Sequence, residues 1–316
     1  MKTNKKTGIS FFSILSSGMG IVALASLIFI GGLCLSGCGS TKKQPDKNKP
    51  IFTTENRATL GTYASLPRLS DGRADLDKLI AQLKELNANT YNWLVWQNEN
   101  DWDDLQLFLP IALENQIAVW ISLVPPSESK PIAKWSSEPF GMDYIKWSEE
   151  IAKLSVTYPN LIALSIDDFV HNLDFYTPEY VKEMMDTIDD INPSLQFIPC
   201  SYYKQITVDF AEKYGYMLDG ILFPYRAESE GANLQNAGLV DREISTLRSL
   251  FNKGMPIYID VYLTAHSRLG GSTPSYVEEV IRRGKEHADG VLIYTHPNPE
   301  ADPEKYEIVK AGFADK

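Results

Sequence analysis

Residues 161–172 read LIALSIDDFVHN, a short apolar run that ends in two adjacent carboxylates and a turn-like segment before the helix start at Thr177-Pro178. A buried parallel strand looks like this when it delivers charge to a site at its C-terminal end. Side chains alternate with period two along a strand, so Ala163, Ser165 and Asp167 share one face and Ile162, Leu164 and Ile166 the other. The small polar set suits a crowded barrel interior, and the branched set suits covering helices. Asp168 would point at the helices if the strand ran on, so it joins Asp167 only where the strand has ended. Two carboxylates in one pocket raise the pKa of one of them, which a general acid near neutrality needs. An isolated Asp pair also serves as a helix cap or loop brace; its place at a strand end is what favours chemistry.

Outward from this stretch, strand-like and amphipathic helical runs alternate eight times. The strands are expected at 57–63, 90–96, 117–124, 161–167, 195–200, 220–225, 256–262 and 290–295. The helices are expected at 75–86, 104–114, 142–156, 178–191, 208–217, 240–251, 274–287 and 303–311. Eight such units predict an α/β fold, a single (β/α)8 TIM barrel over residues 54–316. Two internal echoes fit a fold of like units. Thr177-Pro178-Glu179-Tyr180-Val181 and Thr273-Pro274-Ser275-Tyr276-Val277 open two helices alike, with Thr as N-cap and Pro first in the helix. Asp219-Gly220-Ile221 and Asp289-Gly290-Val291 open two strands alike. The longer connections, 126–141, 227–238 and 265–272, all follow strands and are candidate walls of a cleft.

Barrel sites form at the C-terminal strand ends, so those positions belong together. They hold Tyr63, Trp96, Asp167, Asp168, Tyr202, Tyr225, Arg226, Asp260, Tyr262, Tyr294 and His296. Flat rings meet the C–H face of a sugar while hydroxyls and carboxylates bind its OH groups, so this mixture points to a carbohydrate partner. Asp167 and Asp168 are the catalytic candidates and the other nine the substrate-binding ones, while Trp120 is assigned to packing. Asp167, Asp168, His171 and His296 do not have the HxH or HExxH spacing of a metal site, so no metal is expected. No G-x-S-x-G elbow and no dinucleotide glycine fingerprint occur, so neither a Ser nucleophile nor a cofactor is implied.

The 316 residues carry a net charge of −11, and 44% are hydrophobic, enough for a large core. Lys2, Lys5 and Lys6 precede an uncharged run from Gly8 to Gly37, a targeting segment over 1–37. The run closes in Leu35-Ser36-Gly37-Cys38, which resembles the bacterial lipoprotein lipobox, so Cys38 is the expected lipidation site and an uncleaved membrane anchor the alternative. The polar, Lys-rich segment that follows reads as a tether over 38–53. These features place the protein in the bacterial cell envelope, lipid-anchored to a membrane. Without the basic leader the remainder is more acidic still, which argues against nucleic acid. Cys200 alone then remains in the folded part, so no intrachain disulfide is expected.

The order of features resembles glycoside hydrolase family 84, the β-N-acetylglucosaminidase and O-GlcNAcase group, whose barrel carries an adjacent Asp pair after strand four. Ile166-Asp167-Asp168-Phe169 resembles that motif, Pro199-Cys200-Ser201-Tyr202-Tyr203 the segment after strand five, Asn89-Thr90-Tyr91 the strand-two motif and Asp260-Val261-Tyr262 the strand-seven motif. Departures fall on Thr62, Ala64, Trp96, Gln97 and Val261, where the family has other residues. The resemblance implies substrate-assisted hydrolysis of an N-acetylhexosaminide. Asp167 would orient the 2-acetamido group, whose oxygen attacks the anomeric carbon, Asp168 would protonate the leaving oxygen, and Asp260, Tyr202 and Tyr262 would bind the sugar. Two alternatives stand beside it: a carbohydrate-binding barrel lipoprotein without turnover, and a retaining glycosidase of another barrel family with Asp260 as nucleophile.

Overall fold

In the computed structural model, which describes Phe52, residues 58–251 and residues 254–314, parallel strands and helices alternate along the chain. The strands are β1 (Thr59–Tyr63), β2 (Thr90–Val95), β3 (Ala118–Leu123), β4 (Leu161–Ile166), β5 (Gln196–Phe197), β6 (Ile221–Pro224), β7 (Ile257–Tyr262) and β8 (Gly290–Tyr294). The helices are α1 (Leu76–Glu85), α2 (Asp101–Glu114), α3 (Tyr144–Thr157), α4 (Pro178–Ile191), α5 (Val208–Tyr214), α6 (Val240–Leu250), α7 (Pro274–His287) and α8 (Pro303–Ala314). The strands pair in the order β5-β4-β3-β2-β1-β8-β7-β6, all parallel. This is the expected (β/α)8 barrel. The leader, the tether and Cys38 lie outside the described residues.

Closure falls between β5 and β6, where Ser201 donates to the Leu222 carbonyl (2.9 Å) and Leu222 to that of Pro199 (3.1 Å). β5 is shorter than the expected 195–200 because Pro199 has no N–H to give the ladder. Ile198 and Cys200 still donate to Leu164 and Ile166, so the segment follows β4 beyond its assigned end. Helix ends differ from expectation by a few residues: α2 starts at Asp101, α5 ends at Tyr214 and passes into a 3-10 turn, and α8 runs on to Ala314.

The two Thr-Pro helix starts form as the sequence predicts, with Thr177 accepting from the Tyr180 N–H (3.3 Å) and Thr273 from that of Tyr276 (3.2 Å). The two Asp-Gly echoes have a physical reason. Asp219 donates its N–H to the Phe197 carbonyl (3.0 Å) and its carboxylate accepts from the Phe197 N–H (2.8 Å). Asp289 does the same with Ile257, at 2.8 Å in both directions. Each aspartate thus clamps its strand to a neighbour at the entry end. The following glycine allows the approach: a Cβ on Gly290 would stand 2.7 Å from the Thr59 carbonyl oxygen, and one on Gly220 3.1 Å from that of Pro256.

Outward-facing Leu164, Ile166, Ile259, Val261, Val291 and Ile293 pack under the helices. Inward-facing Trp120, Ala163, Ile198, Leu222, Tyr258 and Leu292 fill the barrel floor, with Trp120 and Tyr258 edge to face at 4.8 Å, and Cys200 extends the same cluster toward the mouth. Trp120 is therefore packing, as expected. One face assignment is corrected. Val119 pairs with Leu161 and Trp120 with Ala163, so Ile162 is an extra, bulged residue that packs toward the barrel floor instead of the helices. Two positions above the floor, period two brings Asn92, Ser122, Ser165 and Asp260 inward as a buried polar layer. Ser122 donates to Asn92 Oδ1 (2.9 Å), while Asn92 Nδ2, Ser165 Oγ and Asp260 Oδ1 have no partner among the described residues.

Because Asp219 stands at the closing seam, Asp219→Ala is expected to lower stability by about 1–3 kcal/mol, leaving the buried Phe197 N–H unpaired. A lowered urea midpoint checks it. Asp219→Asn, whose amide oxygen still accepts, should lose less.

Candidate active site

β4 ends at Ile166, and Asp168 takes up a left-handed backbone conformation (φ 44°, ψ 34°) that Asp tolerates better than most residues. The strand therefore stops where both carboxylates can share the mouth. The Asp167 N–H donates to the Leu123 carbonyl (2.9 Å) and the Asp168 N–H to Asp167 Oδ1 (3.0 Å), which fixes the pair to β3 and to each other. The Tyr63 hydroxyl and the Cys200 thiol face Asp167. His171 Nδ1 stands 3.6 Å from Asp168 Oδ1, and the Tyr202 hydroxyl also faces Asp168.

Around the pair, aromatic rings join from strands across the barrel. Tyr63, Trp96 and Tyr294 share one cluster with Leu94 and Val124, and the Tyr63 and Tyr294 rings are 5.3 Å apart. The orientation of Trp96 is set twice: its backbone N–H donates to buried Asp101 (3.1 Å), and its indole N–H donates to the Glu128 carbonyl (3.2 Å). Tyr262 lies 5.5 Å from Tyr294 edge to face, its hydroxyl is 3.5 Å from that of Tyr202, and His266 packs on its ring at 4.5 Å. The Arg226 guanidinium stacks on the Tyr202 ring at 3.9 Å and pairs with buried Glu228, whose other oxygen accepts from the Lys204 N–H (2.9 Å). Arg226 thus braces Tyr202.

Two predicted residues lie elsewhere. Tyr225 is wholly buried under the helices: β6 places Ile221, Phe223 and Tyr225 outward, and the Tyr225 hydroxyl donates to the Asn236 carbonyl (2.7 Å) while its ring stacks on Tyr276. His296 follows the end of β8, where period two no longer applies. It is buried between Thr62 (2.8 Å) and Gln82 (3.0 Å), with Tyr91 against its ring. Sequence reading missed Glu128, which a 3-10 turn over Pro126–Glu128 carries back to the mouth, and the inward turn of Cys200 and His266. Cys200 was discoverable from its spacing to Ile198; Glu128 lies in a connection without periodicity.

The acids differ in their hold on protons. Burial first, then the charge of Asp168, pushes the Asp167 carboxyl up to about 6, with Tyr63 and Cys200 limiting the rise. Burial pushes Asp168 up as well, but His171 and Tyr202 outweigh it and hold its carboxyl below the usual range. Asp260 is pushed well above the usual range by burial and then by Asp167. A carboxyl held neutral in this way is a poor nucleophile and a good hydrogen-bond donor. Asp167 therefore holds a proton more readily than Asp168. Among the described residues no three His, Cys, Asp or Glu side chains are grouped to hold a metal ion.

The barrel is similar to those of solved glycoside hydrolases. A family 2 β-galacturonidase from Eisenbergiella tayi, bound to galacturonate, matches with a TM-score of 0.54 at 13% identity, over 82% of this chain and 51% of its own, so this chain spans about half of that enzyme. A family 113 β-1,4-mannanase matches with a TM-score of 0.57 at 11% identity, over 82% of this chain and 98% of its own. The family 18 chitinase ChiB from the chitin utilization locus of Flavobacterium johnsoniae matches with a TM-score of 0.53 at 11% identity, over 82% of this chain and 94% of its own. At such identities the likeness is one of fold, and it does not single out family 84. No family model matches the sequence, and no curated protein does.

Burial lowers the His296 pKa to about 3, so His296 stays neutral in the folded chain while it charges in the unfolded one below its ordinary value. Its contribution is fully present above pH 6.5 and is lost between there and about 3. Asp167 and Glu128, whose pKa values are raised, act in the opposite sense, so the measurement is a difference. Urea titrations of wild type and His296→Gln are expected to show wild type losing about 1 kcal/mol more per pH unit below pH 6.

Proposed function

We propose that this chain hydrolyses a glycosidic bond at the barrel mouth, with an N-acetylhexosaminide as the substrate class. The observation that carries this reading is the Asp167–Asp168 pair, turned into one mouth at the end of β4 by the left-handed backbone of Asp168, beside Tyr63, Trp96, Tyr202, Tyr262 and Tyr294. Asp167 carries a proton close to neutral pH and gives it to the departing oxygen. Asp168, kept ionised by His171 and Tyr202, orients the acetamido N–H so that the acetamido oxygen attacks the anomeric carbon. Asp260, held neutral below Tyr262, binds a sugar oxygen as a donor, which counts against its serving as nucleophile. Support from the comparisons is of the same grain: similar barrels belong to a β-galacturonidase, a β-1,4-mannanase and a chitinase. The LSGC segment at 35–38 supports a lipid anchor on Cys38, which would hold the enzyme at a membrane of the cell envelope. Cys38→Ser is expected to leave an unprocessed precursor by mass spectrometry.

A panel of aryl N-acetylhexosaminides with leaving groups of graded acidity tests the assignment. Asp167→Asn should lose about 10²- to 10⁴-fold on poor leaving groups and little on very acidic ones, since those need no protonation. Asp168→Asn should slow the whole panel. Full activity in both variants, where wild type is active, would mean that the pair is structural.

A further inference from the structure

We propose that Glu128 is a third catalytic carboxylate, the base that takes the proton of the attacking water, and that Asn172 ties the turn that carries it to the turn that carries Asp168. This rests on the hydrolytic reading above.

The geometry begins with the turn over Pro126–Glu128, which leaves the end of β3. Asn172 Oδ1 accepts from the Ser127 N–H (3.1 Å), and Asn172 Nδ2 donates to both Ser127 Oγ (3.0 Å) and the Asp168 carbonyl (3.0 Å). One buried amide thus ties the turn that carries Glu128 to the turn that carries Asp168. From the other side the Trp96 indole donates to the Glu128 carbonyl. The backbone of Glu128 is fixed on two sides, yet its half-buried carboxylate has no ion pair or hydrogen bond among the described residues. The charged and titratable groups it faces are Asp167, Asp168, His171 and Tyr294. Burial first, then Asp167 and Asp168, push its carboxyl up to about 7 against the pull of His171. A carboxyl balanced there accepts and returns protons with similar ease at neutral pH.

In the first half of the reaction the bond from the anomeric carbon to the leaving oxygen breaks, that oxygen takes the Asp167 proton, and the acetamido oxygen bonds to the carbon. In the second, water oxygen bonds to the carbon as the acetamido oxygen departs, and the proton of that water passes to Glu128. Glu128 then releases it to solvent and Asp167 takes one up, so water is the only reactant consumed.

The test is Glu128→Gln, which keeps shape and removes the base. With an aryl N-acetylglucosaminide whose phenol is very acidic, the second half limits turnover. A loss in kcat of about 10²- to 10⁴-fold is expected there, with kcat/KM much less affected. Azide, a nucleophile that needs no base, should restore turnover and appear as the glycosyl azide. Glu128→Asp, which keeps a carboxylate, should lose less and give the answer if Glu128→Gln does not fold. A wild-type rate in Glu128→Gln, or an equal fall in kcat and kcat/KM that azide does not relieve, overturns the role. If Asp167→Asn and Asp168→Asn are impaired while Glu128→Gln is not, this inference alone falls. A wild type that cleaves no member of the panel removes the proposed function and this inference together.

Discussion

A single left-handed residue sets the geometry of the mouth. Consecutive side chains in a strand face opposite ways, so two adjacent aspartates serve one site only if the strand is broken between them and the chain turns back. The αL conformation of Asp168 makes that break, and the hydrogen bond from its N–H to Asp167 holds it. The turn that follows brings His171 to the Asp168 carboxylate and Asn172 to the β3 connection. With Asp168 extended, its carboxylate would be driven among Leu164, Ile166 and the helices, where a charge has no counterpart.

The division of protons follows from where each carboxylate sits. Asp260 faces inward from β7 and Asp167 just past the end of β4; burial raises both, with the charge of Asp168 adding at Asp167 and that of Asp167 adding at Asp260. Asp168 is next along the chain yet its carboxyl is held below the usual range, because His171 in the turn it opens and Tyr202 from the connection after β5 offset its burial. Adjacent residues with the same side chain thus differ in state through their neighbours, one of them close in sequence and one distant.

This explains what could be read from the chain. Each strand and helix carries its own apolar period and its own stop signal, so the alternation, the Thr-Pro caps and the Asp-Gly entries were legible locally. Period two also placed Asp167, Asp260, Tyr262 and Tyr294 correctly on inward positions. It failed where a strand had already ended or slipped, at the bulged Ile162 and at His296 past the end of β8; at Tyr225 it held, since counting from inward-facing Leu222 gives the outward face that the residue takes. Glu128 had no local sign, since its direction is set by Asn172 and Trp96 from two other connections.

The buried polar layer bears on how this barrel would respond to directed evolution. Asn92, Ser165 and Asp260 each hold a polar atom that no described group satisfies, in a place where an alanine or a valine would pack without that penalty. Variants chosen only for heat resistance would converge on this layer, making the space beneath Asp167 more apolar. Thermostability and the polarity of the barrel interior would then pull the same few inward positions in opposite directions, so a stabilised scaffold that keeps its mouth unchanged is better sought on the helices.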